Sequence, residues 1–197
     1  MSEKNIEVEL RAEISNSRVD RLSKKLKKNY SLKTRNKRLA ITFFDDNLDV
    51  RVRINTGGEA EFVVKKGEFH SGSRIERSQK IKKDQFLGII DNLLLFDFES
   101  VEVMERKNIR FDLGEGMELS LVTAGPIAYV ELEKVCSDSE VDRAREKLTN
   151  IMNKLNLEVI EKEGFYELCR KLSEKVDWNY EDSEEDKKKL RSKLSEY

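Results

Sequence analysis

Four glutamates stand as two Glu-x-Glu pairs at either end of a long run of alternating segments. Glu7 and Glu9 lie in "IEVELRAEI" (6–14), and Glu131 and Glu133 in "IAYVELEKV" (127–135). Period-two alternation puts both members of a pair on one face of a strand. On a single strand such a face is ordinarily wet. Gathered from two strands, four anions repel one another unless a cation sits among them. Hard divalent ions such as Mg²⁺ or Mn²⁺ favour this kind of oxygen donor. The segments between the two pairs carry the opposite charge. Arg51 and Arg53 alternate in "LDVRVRI" (48–54), and Lys65 closes "EFVVKK" (61–66). Arg74 and Glu76 open "RIERSQKI" (74–81), and Arg106 and Arg110 fall in "VEVMERKNIRFDL" (101–113). Guanidinium forks and ammonium groups in such numbers suit a polyanion, phosphate above all. If the faces simply met water, each opposite-charge pair would contribute only about 0.2–1 kcal/mol across strands.

The elements that must position these residues read as follows. Strands are expected at 6–14, 37–44, 48–54, 61–66, 74–81, 101–113, 117–124 and 127–135, with "NTGGEA" and "GEG" as hairpin turns. A basic helix is expected at 17–29 and an apolar-striped helix at 83–96. A long helix follows at 137–155, with Ser137 and Glu140 at capping-box spacing, and another near 164–175. Eight mostly consecutive strands with a few helices predict an α+β fold, its antiparallel sheet closed on itself to remove exposed edges. Residues 1–176 form the domain in this reading. Residues 177–197, charged and nearly coreless, form a tail or a peripheral helix, with Trp178 and Tyr180 packing it against the body.

Composition narrows the function. Charged residues make up 39% of the 197, yet the net charge is only −1, so the excess is balanced rather than the basic surplus of a nucleic-acid binder. No apolar run suits a membrane span, and the two cysteines, Cys136 and Cys169, are far apart; a reduced cytoplasmic protein is the expectation. The single histidine, His70, sits in the loop "GEFHSGS" and reads as a solvent-facing residue. Multi-histidine metal sites are excluded, and any catalysis falls to carboxylates, Lys and Arg.

Glu7-x-Glu9-x-Arg11 resembles the ExExK signature of CYTH-domain proteins, the triphosphate tunnel metalloenzymes. "ITFFDDNLDVRVRI", "FVVKKG", "SRIER" and "AYVELEKV" resemble that family's later strands in the right order, over residues 6–135. The resemblance implies an eight-stranded antiparallel β-barrel forming a tunnel, with helices packed outside. It implies a hydrolase that cleaves a triphosphate-containing substrate with Mg²⁺ or Mn²⁺. Carried over by position, Glu7, Glu9, Glu131 and Glu133 would face the metal, and Glu7, Glu9 and Glu133 would serve catalysis. Arg11, Arg51, Arg53, Lys65, Arg74, Arg106 and Arg110 would contact phosphate, with Glu76 supporting them; strand phase favours Arg106 and Arg110 over Lys107. Two departures stand out. Arg11 replaces the usual lysine, and the strand before the closing one offers only Glu118, early in "MELSLVTA". The substrate is inorganic triphosphate or a nucleoside or other organic triphosphate. The alternatives are an RNA 5′-triphosphatase and a non-catalytic polyphosphate- or nucleotide-binding module.

Overall fold

Alternation carries the chain around a closed cylinder. The computed structural model describes residues 6–45, 48–67 and 73–197; the side chains of Ser73 and Arg74 also fall outside that description, as does His70. The strands are β1 (Ile6–Ile14), β2 (Ser31–Asp45), β3 (Leu48–Asn55), β4 (Ala60–Lys66), β5 (Ser73–Ile81), β6 (Ser100–Gly114), β7 (Met117–Ala124) and β8 (Ile127–Cys136). They pair in the order β2-β3-β4-β5-β1-β8-β7-β6, and β6 returns to β2, so the eight-stranded antiparallel barrel is closed. A short strand, β9 (Trp178–Asn179), pairs with Glu102 and Val103, on the half of β6 that β7 does not reach.

One residue in two faces outward into apolar cores. Val8, Leu10 and Ala12 of β1, Leu119 and Leu121 of β7, and Val130 and Leu132 of β8 pack beneath α1 (Asn16–Leu26) and α3 (Val141–Lys154). Helix α3 meets them with Ala144, Leu148 and Met152, spaced four apart on one face. On the other side, Leu39, Ile41, Val50, Val52 and Ile54 pack with α2 (Phe86–Leu93) and α5 (Glu184–Leu194). The charged stretch 179–197 therefore has more core than its composition suggests. Tyr180, Leu190, Leu194 and Tyr197 are all buried. Helix α5 starts on Ser183, whose hydroxyl accepts from the Asp186 N–H, and its acidic first turn and basic last turn suit the helix dipole.

Helix α4 (Lys162–Ser173) lies across one end of the barrel. Leu168 and Leu172 pack on Met104, Val122 and Tyr129, which occupy the inward-facing phase of their strands. The Ile160 N–H donates to the Arg11 carbonyl at 2.8 Å, and Lys171 pairs with Glu13 at 3.0 Å. Among the described residues, no helix is long and apolar enough to cross a membrane.

Candidate active site

The inward phase of β1, β8 and β7 is acidic, and register aligns it. Glu9 stands opposite Glu133, and Glu133 stands opposite Glu118, so three carboxylates cross three neighbouring strands in one row. The next row is Arg11, Glu131 and Ser120. Like charges directly opposite in a sheet are destabilising on their own. The facing wall is basic: Arg51 and Arg53 of β3, Lys65 of β4, Arg110 of β6 and Arg38 of β2. All of these, with Glu7, Glu9, Glu118, Glu131 and Glu133, line a single cavity of about 230 Å³.

Ion pairs hold this lining. Lys65 bridges Glu7 at 2.5 Å and Glu76 at 2.7 Å. Arg11 reaches Glu9 at 2.7 Å and Glu131 at 3.3 Å. Arg53 pairs with Glu61 at 2.8 Å, and Arg110 with Glu118 at 3.3 Å; Lys33 also bonds Glu118. Asp49, almost wholly buried, accepts from Arg51 at 2.7 Å and so aims its guanidinium into the cavity.

The electrostatics are uneven around the ring. Burial, followed by the charges of Glu7, Glu9 and Glu131, pushes the Glu133 carboxyl up to about 7. Burial likewise raises Glu7 to about 7, outweighing its lysine partner. Burial opposes ionisation of Glu131 too, but Arg11, Arg106 and Arg38 overcome it and bring that carboxyl down to about 2. On the basic side, burial and then Arg53 lower Arg38 to about 9, with Arg106 and Arg110 adding to the effect and Glu131 working against it. Arg38 has no ion-pair partner among the described residues. A buried arginine crowded by other cations suits an anionic group.

Among the described residues, no three His, Cys, Asp or Glu side chains are drawn together tightly enough to grip a metal ion as they stand. Glu7 leans to Lys65, Glu9 and Glu131 lean to Arg11, and Glu118 leans to Arg110. The donor chemistry nevertheless fits a hard divalent cation. The row Glu9–Glu133–Glu118 is all carboxylate, and the repulsion from Glu7, Glu9 and Glu131 that adds to burial in raising Glu133 is what a cation relieves.

The structure brings together Glu7, Glu9, Arg11, Arg51, Arg53, Lys65, Glu76, Arg110, Glu131 and Glu133. Arg74 stands opposite Glu7 in the β1–β5 register, but its side chain lies outside the described residues. Arg106 is set apart: it faces the α4 end, donating to the Tyr129 hydroxyl at 2.8 Å, while Lys107 turns outward. Val135 shares the inward phase with Glu131 and Glu133 and lies half-exposed at the cavity edge. Two lining residues were outside the sequence-derived set. Arg38 was detectable from "KRLAITFF", where Leu39, Ile41 and Phe43 take the apolar phase and leave Arg38 on the other. Glu118, early in its strand, faces the cavity. Reading Gly125-Pro126 as a two-residue turn, with Gly125 at φ +55°, counts Glu118 directly opposite Glu133.

With this geometry, the comparisons concern the fold. No protein-family model matches the sequence. No curated protein matches it either. Solved structures do. A conserved hypothetical protein from Pyrococcus furiosus superposes with TM-score 0.66 at 18% identity, covering 78% of this chain and 94% of that one. An adenylate cyclase candidate from Vibrio parahaemolyticus gives TM-score 0.63 at 17% identity, over 78% of this chain and 90% of that one. An adenylyl cyclase candidate from Hippeastrum, described as having a dominant triphosphatase activity, gives 0.54 at 16% identity over 80% and 90%. The chain shares with these proteins its fold, the closed eight-stranded antiparallel barrel that the resemblance of its strand motifs implies.

Proposed function

We propose that the protein is a divalent-metal-dependent triphosphatase that hydrolyses a phosphoanhydride of a triphosphate-bearing small molecule. The observation that carries this reading is the carboxylate row Glu9–Glu133–Glu118 facing a wall of Arg38, Arg51, Arg53, Lys65 and Arg110 across one cavity. The likeness in fold to a protein with triphosphatase activity supports it.

In this reading the basic side chains bind the phosphates and spread the charge that develops on their oxygens in the transition state. Arg11 and Lys65 release part of their hold on Glu9, Glu131 and Glu7 as phosphate oxygens arrive. Arg51 is aimed by Asp49, and Arg38, crowded by Arg53, Arg106 and Arg110, gains a phosphate counter-charge. Glu7, Glu9, Glu131 and Glu133, with Glu118, would hold Mg²⁺ or Mn²⁺, which when bound polarises phosphate oxygens and lowers the pKa of water. Glu133, and Glu7 beside it, orient the attacking water and accept its proton. Arg11, a fork where the family has lysine, grips a phosphate with two donors and cannot give up its own proton.

Phosphate release from inorganic, nucleoside and thiamine triphosphates with Mg²⁺ or Mn²⁺ tests the reading. Metal-dependent release is expected, reduced by about a hundredfold or more in Glu9→Gln, in line with the several kcal/mol that charge stabilisation contributes. Tight triphosphate binding without turnover would instead identify a binding module. Activity confined to RNA 5′ ends would identify an RNA 5′-triphosphatase.

A further inference from the structure

We infer that the corner of the barrel between β2, β3 and β6 is a separate anion subsite, which takes one orthophosphate beside the main cavity. This goes beyond the triphosphatase reading and rests on it only for where such a phosphate would come from, namely hydrolysis next door. A small cavity of about 70 Å³ lies there. It shares Arg38, Arg53 and Arg110 with the main cavity and adds Thr34, Asn36 and Asn108, which do not line the main cavity. A guanidinium carries five donors, so one arginine can serve both spaces.

Strand register builds the corner. On the inward phase of β2 and β6, Thr34 stands opposite Arg110, and Asn36 opposite Asn108. On its other side Asn108 faces Val122 of β7, whose side chain offers no acceptor. The Asn108 Nδ2 is buried without a hydrogen-bond partner, in a residue only 4% exposed. Two positions on, the Arg110 Nε is buried and unpartnered too, although Nη1 of the same group reaches Glu118 at 3.3 Å. The carboxylates of this wall are already engaged, Glu61 with Arg53 at 2.8 Å and Glu59 with the Asn55 amide at 2.9 Å. Buried donors left without acceptors are costly to a fold, and the polar cavity beside these two is where an acceptor fits. Water could satisfy the two N–H groups. It would not offset three guanidiniums, one of which, Arg38, is crowded by Arg53, Arg106 and Arg110. A tetrahedral oxyanion does both, because it brings acceptor oxygens and negative charge to one point.

The test titrates orthophosphate by calorimetry into the full chain held with Mg²⁺ and imidotriphosphate, a non-hydrolysable triphosphate. Saturable binding is expected, weakened about tenfold or more in Asn108→Leu, which removes the buried donor at little change of shape. Because that donor has no partner in the protein, the same substitution should leave the melting temperature without added phosphate equal or higher. Asn108→Asp, which sets a carboxylate in the corner, should abolish the binding. Should both variants fail to fold, wild-type crystals soaked with arsenate carry the test, and an anomalous peak within hydrogen-bond distance of Asn108 and Arg110 is expected. No orthophosphate binding, equal binding in Asn108→Leu, or an arsenate peak only elsewhere overturns the subsite and leaves the triphosphatase reading standing. So does inorganic tetraphosphate that binds more tightly than triphosphate while orthophosphate does not bind, which would make the corner the end of a longer chain. Orthophosphate held at Asn108 in a protein that cleaves no triphosphate does the reverse.

Discussion

Arg38 shows how a side chain can be unfavourable for the fold and useful to the site. It is lowered to about 9 by burial, then by Arg53, with Arg106 and Arg110 adding to the effect. Replacing it with Met should therefore raise the melting temperature of the ligand-free protein, because a crowded cation is removed. The same variant should bind triphosphate about tenfold or more weakly, having lost a charge-assisted hydrogen bond of about 1.5–3 kcal/mol. Thermal unfolding and calorimetry on one preparation check both signs; a loss of stability with unchanged affinity would contradict this role. At this scale the sequence was largely readable, because period two assigns faces without knowledge of partners. Glu7, Glu9, Glu131 and Glu133 were found that way. What alternation does not reveal is which charge a residue meets. That Glu7 pairs with Lys65, 58 positions away, depends on the β1–β5 and β4–β5 registers. Those registers are set by closure of the whole barrel.

Among the elements, α4 and α5 were the least legible. Helix α5 is so charged that Leu190, Leu194 and Tyr197 are diluted in its sequence, yet Leu190 is fully buried beneath β2 and β3. Leu190→Ala should cost about 2–5 kcal/mol in denaturant unfolding, as a buried leucine does; a cost near zero would make the helix a mere appendage. The end of the chain is further fixed by the Tyr197 hydroxyl, which donates to Glu105 at 2.6 Å, with Lys193 3.0 Å from the same carboxylate. Burial opposes this ionisation, but Tyr197, Lys193 and Lys37 hold the Glu105 carboxyl below its ordinary value of 4.5. A carboxyl depressed by folding adds stability above its unfolded pKa and loses it as pH falls through the folded one. Tyr197→Phe should thus be less stable than the native protein by about 0.5–1.5 kcal/mol at neutral pH. The gap should shrink as the pH drops below 4.5. Thermal melts across that range give the result, and a gap that widens in acid would contradict it. Helix α4 was foreseen as a helix, but its place across the barrel end was not, since nothing local says that Leu168 and Leu172 meet inward-facing Met104, Val122 and Tyr129.

For the whole molecule, the balance of 39% charged residues against a net charge of −1 has a structural meaning. Part of that charge lines a closed barrel in opposed arcs, mainly acidic on β1, β8 and β7 and mainly basic on β2, β3, β4 and β6. Such an interior is under electrostatic tension until a cation meets the acids and a polyanion meets the bases. Mg²⁺ and triphosphate together should accordingly stabilise the fold by about 2.7 kcal/mol at a hundred times the dissociation constant, and a chelator should withdraw part of that shift. A melting temperature indifferent to both would contradict the design inferred from the lining. The most direct test of the central claim is crystallographic: the protein soaked with Mn²⁺ and a non-hydrolysable triphosphate, with anomalous scattering recorded. A manganese peak among Glu9, Glu133 and Glu118, with phosphates against Arg38, Arg51, Arg53 and Lys65, is the predicted result. A peak outside the barrel, or phosphates bound only on its outer surface, would contradict it.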